Sequence, residues 1–205
     1  MNFFLAWNIF SYRRELAYVA TAFLLVILLS IIAVIVLTQT GINIVSDTLA
    51  EVNQVTQLVE LKNPLDGSVY NTIEGPFTWP TTGVITLEFA KSSLYQVFHT
   101  GIDIAGKRGD PITPFMDGEV IYAGEISWGY GKHVVIDHGD NVTSIYAHLD
   151  KIYVAVDQEV QPGDIIGTEG STGWSTGPHL HFETRVFGIP VNPRVFLGDG
   201  LSDTN

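Results

Sequence analysis

Three short segments carry residue types that could bind a metal and move a proton: His99-Thr100-Gly101-Ile102-Asp103, Tyr146-Ala147-His148-Leu149 and Gly177-Pro178-His179-Leu180-His181-Phe182-Glu183. In a β-strand, residues i and i+2 share a face. His179 and His181 therefore point one way, and Leu180 and Phe182 point the other, into a core. The same alternation in the two upstream segments sets histidine against aliphatic neighbours. Imidazole and carboxylate are the ligands zinc takes where thiolate is absent, and this chain has no cysteine. A catalytic zinc needs three protein ligands and one open position. The three segments supply that set with histidines to spare, although alternation alone does not say which of His179 and His181 would be the ligand.

The elements that must carry these residues are short strands. From about Phe77, β-rich runs alternate with turn signals: Val84–Phe89, Glu119–Ala123, His133–Asp137, Val142–His148, Ile152–Val156, Ile165–Thr168 and Leu180–Val186. Turns are marked by Asp117-Gly118, His138-Gly139-Asp140-Asn141, Pro162-Gly163-Asp164 and the loop from Gly170 to Pro178. Many short strands at such spacing predict an all-β, antiparallel sandwich or open barrel.

The N-terminal part has a different texture. Leu16–Leu37 is a run of 22 residues without charge, glycine or proline. As a helix it would be roughly 33 Å long, enough to cross a bilayer core of about 30 Å. A buried core helix would show a polar face, and a signal-peptide core is usually about 7–15 residues. Thr38-Gln39-Thr40-Gly41 is also a poor cleavage site, so a retained anchor is expected. Arg13 and Arg14 before the span, with Asp47 and Glu51 after it, place the N-terminus in the cytoplasm and the remainder outside. Apolar residues at helical spacing predict a short amphipathic helix over 41–61, a stalk or self-association element, and 62–77 reads as a turn-rich linker. The expected organisation is 1–15 cytoplasmic, 16–37 membrane-spanning, 38–76 stalk and linker, 77–198 the β domain and 199–205 a tail.

The histidine segments, with Gly129-Tyr130-Gly131, Ile136-Asp137-His138-Gly139 and Ser171-Thr172-Gly173, resemble the lysostaphin-type (LytM-like) zinc peptidoglycan endopeptidases over roughly Thr78 to Leu197. The resemblance implies one Zn2+ held by His99, Asp103 and His181, with His148 and His179 as the catalytic pair. It also implies peptidoglycan as substrate, cut in a stem or cross-bridge, by a catalytic domain outside a bacterial cytoplasmic membrane. Local wall remodelling, or insertion of an envelope-spanning machine, is the expected use. Lys132 stands where the family often has asparagine, and Val156-Asp157-Gln158-Glu159 lacks the glycine common in that hairpin. These departures bear on loop geometry.

Other residues carry less chemistry. Trp174 is a candidate wall for a substrate groove, and Tyr146, on the strand face of His148, is a second candidate substrate contact. His138 is expected to brace a turn, and His133 to be a sheet or surface residue. A net charge of −12 argues against nucleic acid as a partner. The competing reading is a non-catalytic or latent module of the same fold that binds wall, activates another hydrolase or assembles with envelope or like partners through 41–61.

Overall fold

The computed structural model describes residues 3–92 and 98–201, without the side chains of 3–11, 13 and 14, so that Arg13 and Arg14, on which the orientation rests, and the tail from 202 onward lie outside what it describes. The chain divides into two compact units, residues 1–40 and 41–205.

Helix α1 (Phe3–Leu49) begins in the first unit. From Glu15 it is long and apolar enough to cross a membrane, and none of its most apolar stretch is buried. The hydroxyls of Thr21, Ser30 and Thr38 each donate to the carbonyl four residues earlier at 2.8 Å. Such back-bonding satisfies polar groups in an apolar setting.

In the second unit α1 ends with Ser46 and Leu49 buried. The Asn192 N–H donates to the Ser46 hydroxyl at 2.9 Å. The helix expected over 41–61 stops at Leu49. Beyond it the chain forms an antiparallel meander of β1 (Ala50–Val52), β2 (Val59–Lys62) and β3 (Val69–Ile73). The apolar spacing is ambiguous there because β-branched residues sit between two turns. Asn53 Oδ1 accepts the N–H groups of Val55 and Thr56, and Asn63 Oδ1 accepts that of Leu65. Each closes a turn by side chain to backbone. The supposed linker is thus a hairpin.

The rest of the unit is mostly antiparallel β. The strands are β4 (Val84–Leu87), β5 (Ile102–Ala105), β6 (Pro111–Ile112), β7 (Gly118–Glu125), β8 (Lys132–Asp137), β9 (Val142–Ala147) and β10 (Lys151–Ile152). After them come β11 (Glu159–Val160), β12 (Gly167–Thr168), β13 (Leu180–Val186), β14 (Ile189–Val191) and a single turn α2 (Arg194–Leu197). The main sheet runs β11-β7-β8-β9-β13-β5-β4, with β14 also paired to β13; β10-β12-β6 forms a small second sheet. The core lies under β13. Leu180 and Phe182 are fully buried, as alternation requires, and Phe182 packs on Phe115, which also meets Phe77 and Phe196.

Candidate metal centre and catalytic groove

Sheet register builds the floor of the site. His181 on β13 pairs with Asp103 on β5 and with Ala147 on β9. Directly opposed residues have Cβ atoms about 4.5–5.5 Å apart, so register alone brings His181 and Asp103 together and leaves His148 one step beyond. His99 lies in the turn before β5, not in a strand as expected. Gly101 makes that turn possible, because a Cβ there would stand 2.2 Å from the Phe182 carbonyl oxygen.

His99 Nε2 lies 2.9 Å from Asp103 Oδ1 and 2.9 Å from His181 Nδ1, and His181 Nδ1 lies 2.8 Å from Asp103 Oδ1. The outward nitrogens fix the tautomers. His99 Nδ1 faces the Glu88 carbonyl oxygen at 3.1 Å and His181 Nε2 faces Glu183 Oε1 at 2.9 Å, so both outer positions carry the proton. Three lone-pair donors then converge on one point, which calls for a cation. The residues fit a zinc ion in number, type and tautomer. The electrostatics agree. Burial would raise the Asp103 carboxyl, but hydrogen bonds from His181 and His99 win and hold it well below the usual carboxylate range. Burial would lower His181, but Asp103 and Glu183 overcome it and lift it to about 9. The spot demands positive charge, which a proton or a metal can supply.

Behind His181 stands a network that strand alternation could have flagged, since His181, Glu183 and Arg185 share one face of β13. Glu183 is fully buried. Its Oε1 accepts His181 Nε2, the Tyr130 hydroxyl at 2.6 Å and the Thr100 hydroxyl; its Oε2 accepts Arg185 Nη2 at 2.6 Å and Nε at 2.9 Å. Burial favours the neutral acid, but His181 and Arg185 hold Glu183 well below the usual carboxylate range. Burial and the Glu183 charge push the Tyr130 hydroxyl above its ordinary value, so it stays a donor.

His148 and His179 stand beside this floor with ring centroids 4.7 Å apart. Strand β9 ends at Ala147, and His148 has φ +62°, a left-handed conformation that non-glycine residues adopt at a cost. That reversal turns the imidazole into the groove. His148 Nδ1 donates to the Thr172 carbonyl at 2.8 Å and His179 Nδ1 to the Gly177 carbonyl at 2.9 Å, leaving both Nε2 atoms as acceptors. Burial, reinforced by the neighbouring His179 and His181 rings, lowers His148 to about 4 and keeps it neutral at pH 7.

The reversal at His148 also separates it from Tyr146. Tyr146 is fully buried, packs on Phe182 and takes the Phe115 N–H on its hydroxyl at 2.9 Å. It lies on the core side and does not reach the groove, contrary to the expectation from a continuous strand. Trp174 does line the groove, a cleft of about 600 Å³ that also holds Trp128, Tyr130, His148, His179 and Asp103. Trp128 is a groove residue that the sequence reading missed; a tryptophan beside the Gly129-Tyr130-Gly131 turn was the available signal.

Residues 97–193 match the profile described as peptidase family M23. The solved structure of a mutant catalytic domain of the prophage-encoded M23 protein EnpA from Enterococcus faecalis is 39% identical, with TM-score 0.50, covering 59% of this chain and 92% of that one. This chain belongs to peptidase family M23. His99, Asp103 and His181 form the metal site typical of M23 zinc peptidases. Among curated relatives, "Murein hydrolase activator NlpD" of Escherichia coli is 44% identical over 119 residues, 58% of this chain and 30% of that protein. "DD-carboxypeptidase/endopeptidase Mpg" of Neisseria meningitidis is 47% identical over 95 residues, 46% of this chain and 22% of that protein. The chain thus spans less than a third of the length of these relatives.

The remaining expectations resolve simply. His138 braces its turn, bridging the Asp117 carbonyl at 2.6 Å and the Ser144 hydroxyl at 2.7 Å. His133 is a sheet residue stacked on Tyr122. Lys132 donates to the Asp150 carbonyl, and Asp157, at φ +68°, takes the conformation a glycine would supply.

Proposed function

We propose that this protein is a membrane-anchored zinc metalloendopeptidase that cuts a peptide bond of bacterial peptidoglycan, in a stem or cross-bridge. The observation that carries this reading is the convergence of three lone-pair donors beside two imidazoles whose Nε2 atoms face one groove. Zinc, when bound there, supplies Lewis acidity to the scissile carbonyl and to a water. His148, held neutral, accepts the proton of the attacking water at Nε2, and His179 Nε2 offers the second acceptor. A proton held on either Nε2 can pass to the leaving amine or steady negative charge on the carbonyl oxygen. The backbone carbonyls of Thr172 and Gly177 keep both rings aimed throughout.

The helix from Glu15 supports an anchor, and Arg13 and Arg14 ahead of the span support an N-terminus inside with the domain of residues 77–198 on the wall side. Tethering confines cleavage to wall near the membrane, which suits local remodelling or the passage of an envelope-spanning machine. Partners bound through 41–61 would meet a helix end and two strands.

A second reading is favoured by the 44% likeness to a protein named a murein hydrolase activator. In it the domain binds wall or another hydrolase and cuts nothing. The deciding experiment incubates the full-length, zinc-loaded protein in detergent with purified peptidoglycan, beside His181→Ala. Mass spectrometry should find new free amines on stem or bridge residues with the wild type alone. Identical products from both proteins would sink the endopeptidase and favour the binding module.

A further inference from the structure

The groove has an unusual rim. Trp128 is 76% exposed and Trp174 62% exposed, yet both line the cleft that holds the histidines. Most large apolar side chains of the domain are in its core, and exposed aromatic surface beside a catalytic cleft marks something that binds there. The loops that carry the two tryptophans are tied together through their backbones. The Trp174 N–H donates to the Gly129 carbonyl at 2.8 Å, and the Lys132 N–H donates to the Thr172 hydroxyl at 2.9 Å, stitching the loop around 126–131 to that around 170–176. The backbones approach so closely that a Cβ on Gly131 would stand 2.4 Å from the Thr172 carbonyl carbon. The backbone beneath both tryptophans is therefore fixed before anything binds.

Its chemistry selects the occupant. Beside the tryptophans the wall presents Ile126, Ser175 and Thr176, and no charged side chain among the described residues that line it; Asp103 lies apart, on the floor. The carboxylates of a stem peptide would find no cation on that wall. A pyranose ring is uncharged, with a face of C–H bonds and a rim of hydroxyls. It matches flat indole surface beside the exposed Thr176, and indole pays little entropy on stacking.

We propose that Trp128 and Trp174 form a stacking platform for a sugar ring of the glycan strand, so that the enzyme grips glycan beside the peptide it cuts. This rests on the peptidoglycan reading above. It predicts that a glycan-bearing substrate is preferred over the same peptide without sugar.

The test uses the full-length, zinc-loaded protein in detergent and two substrates: cross-linked muropeptide dimers carrying their disaccharides, and the same dimers stripped of sugar by an amidase. Wild type should favour the glycosylated dimer by at least about fivefold, chiefly in KM, the scale of one aromatic stacking contact. Trp128→Ala and Trp174→Ala should each shrink that ratio towards one, and Trp128→Phe should keep part of it. Fluorescently labelled chitotetraose, followed by anisotropy, reads the platform without turnover; its binding should weaken in both alanine variants. Equal cleavage of the two dimers, or tetrasaccharide binding that survives both substitutions, overturns the proposal and leaves the peptidase intact. Failure to cut either dimer strikes the peptidase reading instead, and the chitotetraose measurement then decides the platform alone.

Discussion

The floor and the rim of the groove are built by different physics. On the floor, Asp103 and His181 are cross-strand neighbours in a sheet, and Glu183, Tyr130, Thr100 and Arg185 saturate each other's hydrogen bonds behind them. Position there is set by register and burial. On the rim, Trp128, Trp174 and the turn that aims His148 sit on loops held by backbone bonds and by glycines with positive φ, Gly131 at +63° and Gly173 at +68°. Position there is set by local backbone geometry. The contrast teaches that metal retention and substrate handling should be separable. A floor built from strands resists change, and a rim built from loops can be retuned around it.

The strongest way to break this separation is to remove a ligand. His181→Ala should abolish stoichiometric zinc in metal analysis and reduce peptidoglycan cleavage to background. Removing the proposed base should spare the floor: His148→Ala is expected to lower kcat by about 10²–10⁴-fold while zinc content holds. Loss of zinc in His148→Ala would mean that the two regions are one. Next in size, Glu183→Gln keeps the shape but weakens the hold on the His181 tautomer. Zinc affinity in chelator competition should fall by about 10–100-fold, with the KM for saturating-metal enzyme little changed. On the other side, Gly173→Ala strains φ +68° and drives a Cβ to 2.3 Å from the Gly131 nitrogen. It should cut kcat/KM by about tenfold and leave chelator competition unmoved.

A last test, of stability and not of turnover, comes from a group remote from both regions. Burial lowers His138 from 6.5 to about 4. Because its folded value lies below its unfolded one, the unfolded chain binds the extra proton first. Stability should therefore be fully present above pH 6.5 and fall as pH drops towards about 4, by up to roughly 3 kcal/mol. Urea unfolding of wild type against His138→Gln across that window should show the difference between the curves closing as pH falls.

Much of the floor was legible in the sequence because strand alternation is a strict rule. Leu180 and Phe182 had to face a core if His179 and His181 faced a site, and they do. The ligand choice between those two histidines was not legible from alternation, because both share one face; it depended on family resemblance and on what lies opposite in the register. The rim was legible only in part. Nothing in Tyr146-Ala147-His148 announces that the chain enters the left-handed region at His148, so Tyr146 was expected in the groove and is in the core. Residues 50–73 failed for a related reason. Their apolar spacing suits a helix or a strand, and the asparagine side chains that close the turns decided it.

Strand β13 carries one further consequence. Its chemistry occupies alternate positions, His181, Glu183 and Arg185, and its packing occupies the others, Leu180, Phe182, Thr184 and Val186, all buried. Heritable change on one face need not be felt on the other. A lineage could shed hydrolysis one residue at a time while keeping a foldable, wall-sized surface for natural selection to reuse. The reverse path, recovering catalysis, would need the same few positions restored and no new architecture.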